Sequence, residues 1–498
     1  MTMKNKLLIF AMLLGGLSAC SLNINPVSDQ SEINLSTKDT TDKRIKYKDR
    51  AAMEAVYKNL YTLMRDRQEH WYLDYLLFSE TRSDNAYAGS TGNEIVPVET
   101  NSLDASNPDI ARDWDRYLED IASANAVISN IDLVPDKTLT QQERNQWKAE
   151  AKIFRAMMIF DMARWWGNIP LNLSEAPDIT AENIDEVYPI YFPKPSTQVA
   201  AYQQVIDDLK DAINYAPALN PNDKTLLSKT VAYAILARVY AEMGSWQEVV
   251  NYCNLIEADG IRLEDDFRTL WKFNTTTKDV TRNSCEVILE MQYNSGSGNW
   301  VSWMFGRDYN DPEYSFTWAK WITPSRDLMA AFDAAGDTIR RNQTIVYEAC
   351  TWSNYYPAEH YPFMYKCRSG LNSIIKLRGG DFVLLKAEAL ARMHQDGEAL
   401  QLVNRIRTRV KLPALNGLTG DKLLDAILNE RRLELALEGS RFFDLIRFGK
   451  LLEVMNTLNS RDEGRLPQSR PFVENHRLMP IPQTALDQNV NLTQNPGY

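Results

Sequence analysis

The stretch Asn429-Glu-Arg-Arg-Leu-Glu-Leu-Ala-Leu-Glu-Gly-Ser-Arg-Phe-Phe-Asp-Leu-Ile-Arg-Phe-Gly449 most constrains what this chain can fold into. Glu430, Glu434 and Glu438 are spaced four apart, which predicts one helical face. Glu438 precedes Arg441 by three residues, and Asp444 precedes Arg447 by three. Leu433, Leu435, Leu437, Phe442, Phe443, Leu445, Ile446 and Phe448 supply apolar surface between them. Gly439 allows a bend between two helical segments, and Gly449 is placed to end the second. Charges interleaved with large apolar side chains predict a partly buried ion-pair network, which survives desolvation only if it is well paired. Glu434 or Glu438 could otherwise serve as a catalytic acid. No His or isolated carboxylate pair accompanies them, so the expectation is that they act as clamps between helices.

The stretch resembles the C-terminal signature of the SusD/RagB family, roughly E-R-R-x-E-L-x-x-E-G-x-R-x-x-D-L-x-R-x-G. Further motifs share the resemblance. Residues 111–131 are similar to the family's W-x-x-x-Y-x-x-I-x-x-A-N stretch, with Leu118 at the usual Tyr place and Tyr117 one position earlier. Segment 141–166 runs into Trp165-Trp166-Gly-Asn-Ile-Pro-Leu171, similar to R-A-x-x-Y…Y-G-x-V-P-L. There Ile159 and Trp166 replace the two tyrosines and Ile169 the valine. The end, from Arg477-Leu-Met-Pro-Ile-Pro482 to Asn495-Pro-Gly-Tyr498, resembles the closing L-x-P-I-P…N-P-G-Y motif, and its prolines predict an extended strap rather than a helix.

At the other end, Lys4 and Lys6 precede an apolar run from Leu7 that is too short to span a bilayer stably, the layout of a secretory signal. Leu17-Ser-Ala-Cys20 resembles a bacterial lipobox. That resemblance implies a diacylglyceryl group on the Cys20 thiol and membrane attachment without a transmembrane helix, each buried methylene contributing about 0.8 kcal/mol. The expected division is a signal peptide over 1–19, a polar lipidated tether over 20–45, an N-terminal helical region over 46–260 and a C-terminal region with the ligand-binding loops over 261–498. In the family, acidic residues just after the Cys often help direct export to the cell surface; here only Asp29 and Glu32 are near, so surface exposure rests on the resemblance.

The expected fold class is mostly α, with tetratricopeptide-like helix pairs as scaffold, long irregular loops and minor β structure. Helices are predicted over 46–66, 111–131, 141–166 and 196–215. Residues 226–258 read as helix, Gly244-Ser245 turn, helix, where Ala234, Ala237 and Ala241 allow close approach of a partner. The shape recurs over 381–411, with a turn expected at Gly397, and helices follow over 419–438 and 440–456. Segments 79–110, 167–195 and 260–380 do not look helical, and loops of that length are usually functional or carry small structure of their own.

One loop concentrates aromatics. Residues 293–321 hold nine of them (Tyr293, Trp300, Trp303, Phe305, Tyr309, Tyr314, Phe316, Trp318 and Trp321), against 10% for the chain. Asn294, Gly296, Gly298, Asn299, Asp308, Asn310 and Asp311 lie among them. A pyranose ring stacks its apolar face on a flat aromatic, and its hydroxyls need side chains such as Asp, Asn and Arg. About half of these rings are expected to be core. Trp352–Tyr365 is a second aromatic cluster. The polar loop Glu80–Gly89 offers Arg82, Asp84, Asn85 and Tyr87 as hydrogen-bonding groups. The candidate ligand-binding set is therefore Trp300, Trp303, Tyr309, Trp318, Trp321, Tyr87, Arg82, Asp84 and Asn85.

The net charge of −11 argues against nucleic acid and against docking on anionic lipid. GxSxG, P-loop and Rossmann patterns are absent, and the four His (His70, His360, His394, His476) lack metal-ligand spacing. No catalytic residue, cofactor or metal is assigned, although the acidic loops leave a structural calcium ion open. Cys253, Cys285, Cys350 and Cys367 contain no CxxC, and a Cys350–Cys367 disulfide is open. The resemblance implies a non-enzymatic, outer-membrane, surface-exposed lipoprotein. It would capture oligosaccharide and deliver it to a SusC-like TonB-dependent transporter. Peptide cargo within the same family, a helical glycoside hydrolase and a protein-only scaffold are the alternatives.

Overall fold

The computed structural model describes residues 45–89, 92, 94–312, 320–352 and 355–498. The leader, Cys20 and most of the tether lie outside the described residues, as does Trp318. Nine helices pack each against the next: α1 Arg50–Asp66, α3 Pro108–Asn130, α4 Gln141–Trp166, α5 Gln198–Ala212, α6 Lys229–Glu242, α7 Trp246–Ala258, α8 Gly379–Arg392, α9 Asp396–Arg409 and α10 Gly420–Glu434. A π-helical turn, Glu69–Leu73, leads from α1 into α2, Asp74–Thr81. The helical framework is the expected one, with sheet confined to two-stranded pairs.

Helix α4 shows why this chain folds as an array. Thr140 and Glu143 form a capping box at its start. From Ala149 onward it is buried on nearly every side, because α3 and α5 cover opposite flanks. Pairs α6/α7 and α8/α9 are helix hairpins, and α7 packs on α8 to join them. Gly244 turns the first pair at φ 71°. In the second, the left-handed residue is His394, at φ 61°, while Gly397 lies within the first turn of α9; the turn thus falls three residues before the glycine.

The segments expected to be non-helical contain helices as well. Ser325 caps Arg326–Ala335 by accepting from the Leu328 N–H, and Gly336 closes it in the left-handed region, a start-and-stop signal masked by the surrounding aromatics. Thr338–Thr344 and Ile184–Tyr191 are also helical. The closing strap is extended as far as Pro482, then forms the short helix Gln483–Gln488, since a proline ahead of the first turn gives up no helical hydrogen bond. The Trp166 indole donates to the Pro480 carbonyl at 3.0 Å, and Asn495 bonds the carbonyls of Trp166 and Met479. All four described cysteines are free thiols, so Cys350 and Cys367 are not joined.

Over 429–449 the helix stops earlier than its glutamate spacing predicts. Helix α10 ends at Glu434, and a turn through Leu437 (φ 61°) and Gly439 (φ 84°) leads to α11, Arg441–Arg447. Gly449 separates this from α12, Leu451–Arg461, so 440–456 is not one helix. Glu438 therefore reaches the network from a turn. A Cβ at Gly439 would lie 2.7 Å from the Tyr75 ring, so the turn has no space for another residue.

The three glutamates are clamps, each held by two or more cations. Glu430 pairs with Arg340 and Arg407, at 2.6 and 2.8 Å. Glu434 meets Arg378, Arg409 and Arg340, at 2.7, 2.5 and 3.2 Å. Glu438 pairs with Arg378 at 2.7 Å and with Lys366. Glu286 adds bonds to Arg378 and Arg409. Burial pushes the Glu434 carboxyl upward, but Arg409, Arg378 and Arg340 together outweigh it and hold the group well below the usual carboxylate range. A carboxylate depressed in the fold contributes stability above its unfolded value near 4.5, and loses it as pH falls through the folded value. Glu434→Gln should therefore cost about 3 kcal/mol or more at pH 7, by stranding three arginines. In urea titrations at stepped pH, the gap from wild type should narrow below about pH 4.

Candidate functional site

The aromatic loop is built on buried polar anchors. The Asn299 side chain donates to the carbonyls of Ser369 and Asn372, at 3.1 and 2.7 Å, and its backbone N–H donates to the Gly370 carbonyl at 2.8 Å. The Asp308 carboxylate accepts from the N–H groups of Gly370, Asn310 and Asp311, at 2.7, 2.8 and 3.3 Å. Both peptide groups of Gly370 are thus used, one by the residue before Trp300 and one by the residue before Tyr309. A Cβ at Gly370 would lie 3.2 Å from the Asp308 carboxylate and 3.4 Å from the Asn299 carbonyl. Gln68, at the N-cap of the π-helical turn, accepts from the Trp300 N–H at 2.7 Å and donates to the Gly298 carbonyl at 3.2 Å.

On these anchors Trp300 stands 45% exposed at the start of the short helix Val301–Phe305. An apolar ring of that size left in water by so many hydrogen bonds is a feature that needs a reason. Trp303, Tyr309 and Trp321, in the same loop, are half-buried. The Trp321 N–H donates to Met304, and its carbonyl accepts from Gly89 at 2.6 Å. Gly89 is required there, because a Cβ would overlap the Lys320 backbone. The Lys320 ammonium donates to the Trp303 carbonyl at 2.5 Å and is almost fully enclosed. Desolvation, with Arg307 nearby, pushes its pKa down to about 7 against the opposing pull of Asp308. The Tyr309 hydroxyl donates to Glu348 at 3.0 Å, and its ring meets Tyr365 edge-on. Tyr293 and Phe305 are core. The exposed part of this loop, its shelf, carries one prominent indole together with polar Asn294, Asn310 and Asp311.

The polar loop after α2 does not join this shelf. Arg82, Asp84, Asn85 and Tyr87 are each 1% exposed or less. Arg82 stacks on Phe442 and donates to the carbonyls of His476 and Leu478. Asp84 takes a two-pronged bond from Arg441, at 2.8 and 2.9 Å, and pairs with Arg432. Asn85 bridges Glu80 and Arg432, and the Tyr87 hydroxyl donates to Asp462 at 2.6 Å. Tyr87 lies in a strand, Ala86–Ala88, paired antiparallel with Ile322–Pro324. Asp84 and Asn85 supply partners to Arg432 and Arg441 of the C-terminal signature, while Arg82 and Tyr87 bond the chain beyond it at His476, Leu478 and Asp462.

The second aromatic cluster is also mainly structural. Strands Ile345–Glu348 and Tyr361–Met364 form a hairpin on which Trp352 packs edge-on against Tyr361. Tyr355 stacks on Tyr87 at 4.5 Å and donates to Glu99. What the sequence missed is Gln68 and the 369–372 turn, the groups that hold Trp300 and Tyr309. Neither lies near the aromatics in sequence. A cavity between α2, α6 and α11 is lined by ion pairs and aromatics, including Arg164, Lys376 and Phe443. No cluster suited to a metal ion occurs among the described residues, and no described helix is long and apolar enough to cross a membrane.

Comparison with known proteins agrees at both ends of the chain. Residues 361–498 match the SusD family, and residues 35–241 match the family described as "Starch-binding associating with outer membrane". A SusD-like protein P2 of Formosa agariphila is 27% identical over the whole of both chains. A SusD-like protein of Bacteroides ovatus is 24% identical, over 77% of this chain and 73% of its own. Among solved structures, a laminarin binding SusD-like protein superposes with a TM-score of 0.70 at 22% identity, covering 91% of this chain and all of the other. Surface glycan-binding protein A from Bacteroides fluxus gives 0.71 at 20% identity, with the same coverage. With the signature, the closing motif, the helical array and both matches in agreement, the chain belongs to the SusD family.

Proposed function

We propose that this chain is a non-enzymatic, lipid-anchored glycan-binding protein at the outer-membrane surface. It captures an oligosaccharide on the shelf around Trp300 and passes it to a TonB-dependent barrel. The observation that carries this reading is an exposed indole whose backbone is pinned by Gln68, Asn299 and Gly370, in a loop that also carries the half-buried Trp303, Tyr309 and Trp321. A loop backbone fixed before the ligand arrives leaves less to be ordered when the ring stacks against a pyranose. The fold-mates described as binding laminarin or surface glycans favour the same cargo. Each glutamate of the signature is ion-paired in the interior, which leaves no free acid there for glycoside hydrolysis. A shallow shelf suits modest affinity, as hand-over requires release.

Isothermal titration against a panel of soluble glycans, laminarin and starch included, tests the reading. At least one glycan should bind without being cleaved. Trp300→Ala should weaken it by about 1 kcal/mol, roughly fivefold, with the melting temperature unchanged. Binding of peptides with no response to any glycan would overturn the cargo assignment. Gly370→Val should crowd Asp308 and the Asn299 carbonyl together and displace Trp300 and Tyr309 at once. Its loss of glycan affinity should exceed that of Trp300→Ala, with the helical circular-dichroism signal retained.

A further inference from the structure

The start of α3 meets the start of α2 with an excess of buried acid. Asp109 and Asp113 lie one turn apart on α3, and Asp74 is the first residue of α2. Their side chains are 7%, 4% and 0% exposed respectively. One cation meets all three: Arg112 bonds Asp74, pairs with Asp109 at 2.9 Å and approaches Asp113 at 3.6 Å. Three carboxylates on one guanidinium would leave uncompensated charge in the interior, which is strongly destabilising. Asp74 Oδ1, Asp109 Oδ2 and Asp113 Oδ1 are also buried with no hydrogen-bond partner among the described residues.

The geometry says what is missing. The Asp113 carboxyl lies within hydrogen-bonding reach of the Asp74 carboxyl, and two ionised carboxylates have no hydrogen to place between them. A proton on the pair supplies that hydrogen and removes one charge. Burial first, then Asp74, pushes the Asp113 carboxyl well above the usual carboxylate range; Arg112 opposes the push and Asp109 adds to it. Asp109 itself is pushed up to about 6 by burial and Asp74, with Glu94 contributing and Arg112 opposing. Other charged groups packed on α3 are engaged elsewhere. Arg67 and His70 bond Asp120, Asp161 and Arg164 of α4 pair with each other, and Asp487 of the closing helix bonds Gln483.

The pair sits beside the turn that carries Trp300. Helix α3 holds the π-helical turn Glu69–Leu73 through Asp120, which bonds the His70 ring at 2.9 Å and the Trp71 indole at 3.0 Å. Asp74 directly follows that turn, and Gln68 at its N-cap pins the Trp300 backbone. We infer that Asp74 and Asp113 share one proton, which latches α2 to α3 and loosens the latch when it leaves. A carboxyl raised in the fold contributes its stability in full below its unfolded value near 3.8, and loses it as pH rises through the folded value. The latch is therefore closed in acid and weakened in alkali.

Asp113→Asn tests this in the full chain, because its amide gives Asp74 a permanent N–H donor in place of the proton. Melting temperatures are compared in chelator at steps from about pH 5 to about pH 9. The variant's margin over wild type should widen by about 2 °C or more across that range, since only wild type loses the proton. Amide hydrogen exchange over residues 66–77, read for both proteins at the same pH, should be alike at the acid end and about tenfold faster in wild type at the alkaline end. Asp74→Asn should flatten the same pH dependence, because the proton belongs to the pair, and it serves as the test if Asp113→Asn does not fold. A margin that stays constant with pH overturns the shared proton. So does a margin that follows added calcium instead of pH, which would put a metal ion between the carboxylates. Exchange that quickens in other segments but not over 66–77 overturns the latch.

Discussion

Arg378 and Glu434 form the contact on which most else depends. Removing two such charges from water costs several kcal/mol apiece, and a single pair rarely recovers it. Here the cost is spread over a connected set. Arg378 bonds Glu286, Glu434 and Glu438, while Glu434 also holds Arg409 and Arg340. Those side chains come from the strand ahead of α8, from α9, from α10 and its following turn, and from the short helix Thr338–Thr344. The network therefore sets the angle at which the C-terminal helices meet, something a purely apolar interface leaves less specified.

The same network positions the shelf. Lys366 is fastened to Glu438 and to the Glu434 carbonyl, and four residues later Gly370 holds the residues that precede Trp300 and Tyr309. Signature and binding loops are thus one mechanical path of short, directional bonds. An exposed indole on a long loop would otherwise sample many orientations, and ordering them costs affinity in any stacking contact. The shelf combines flat aromatics with amides and carboxylates, which suits a hydroxyl-rich ring with an apolar face.

Helix positions were legible from the sequence because 3.6-residue periodicity, small-residue stripes and capping groups act over a few residues. Helix α4 begins and ends where Gln141–Trp166 predicts. The clamp role of the three glutamates was legible too, from charge set among leucines and phenylalanines. The sequence could not decide which way a polar loop faces. Arg82, Asp84, Asn85 and Tyr87 have the composition of a solvent-exposed ligand loop, yet they turn inward because Arg432, Arg441 and Asp462, some 350 residues away, need partners there. Likewise, local pattern determined that 293–321 is aromatic and irregular. Tertiary structure alone decided that Trp300 stands out while Phe305 is buried, since Gln68 and Gly370 arrive from distant parts of the chain. Burial is set by which surfaces meet, and that information is not local to any stretch of sequence.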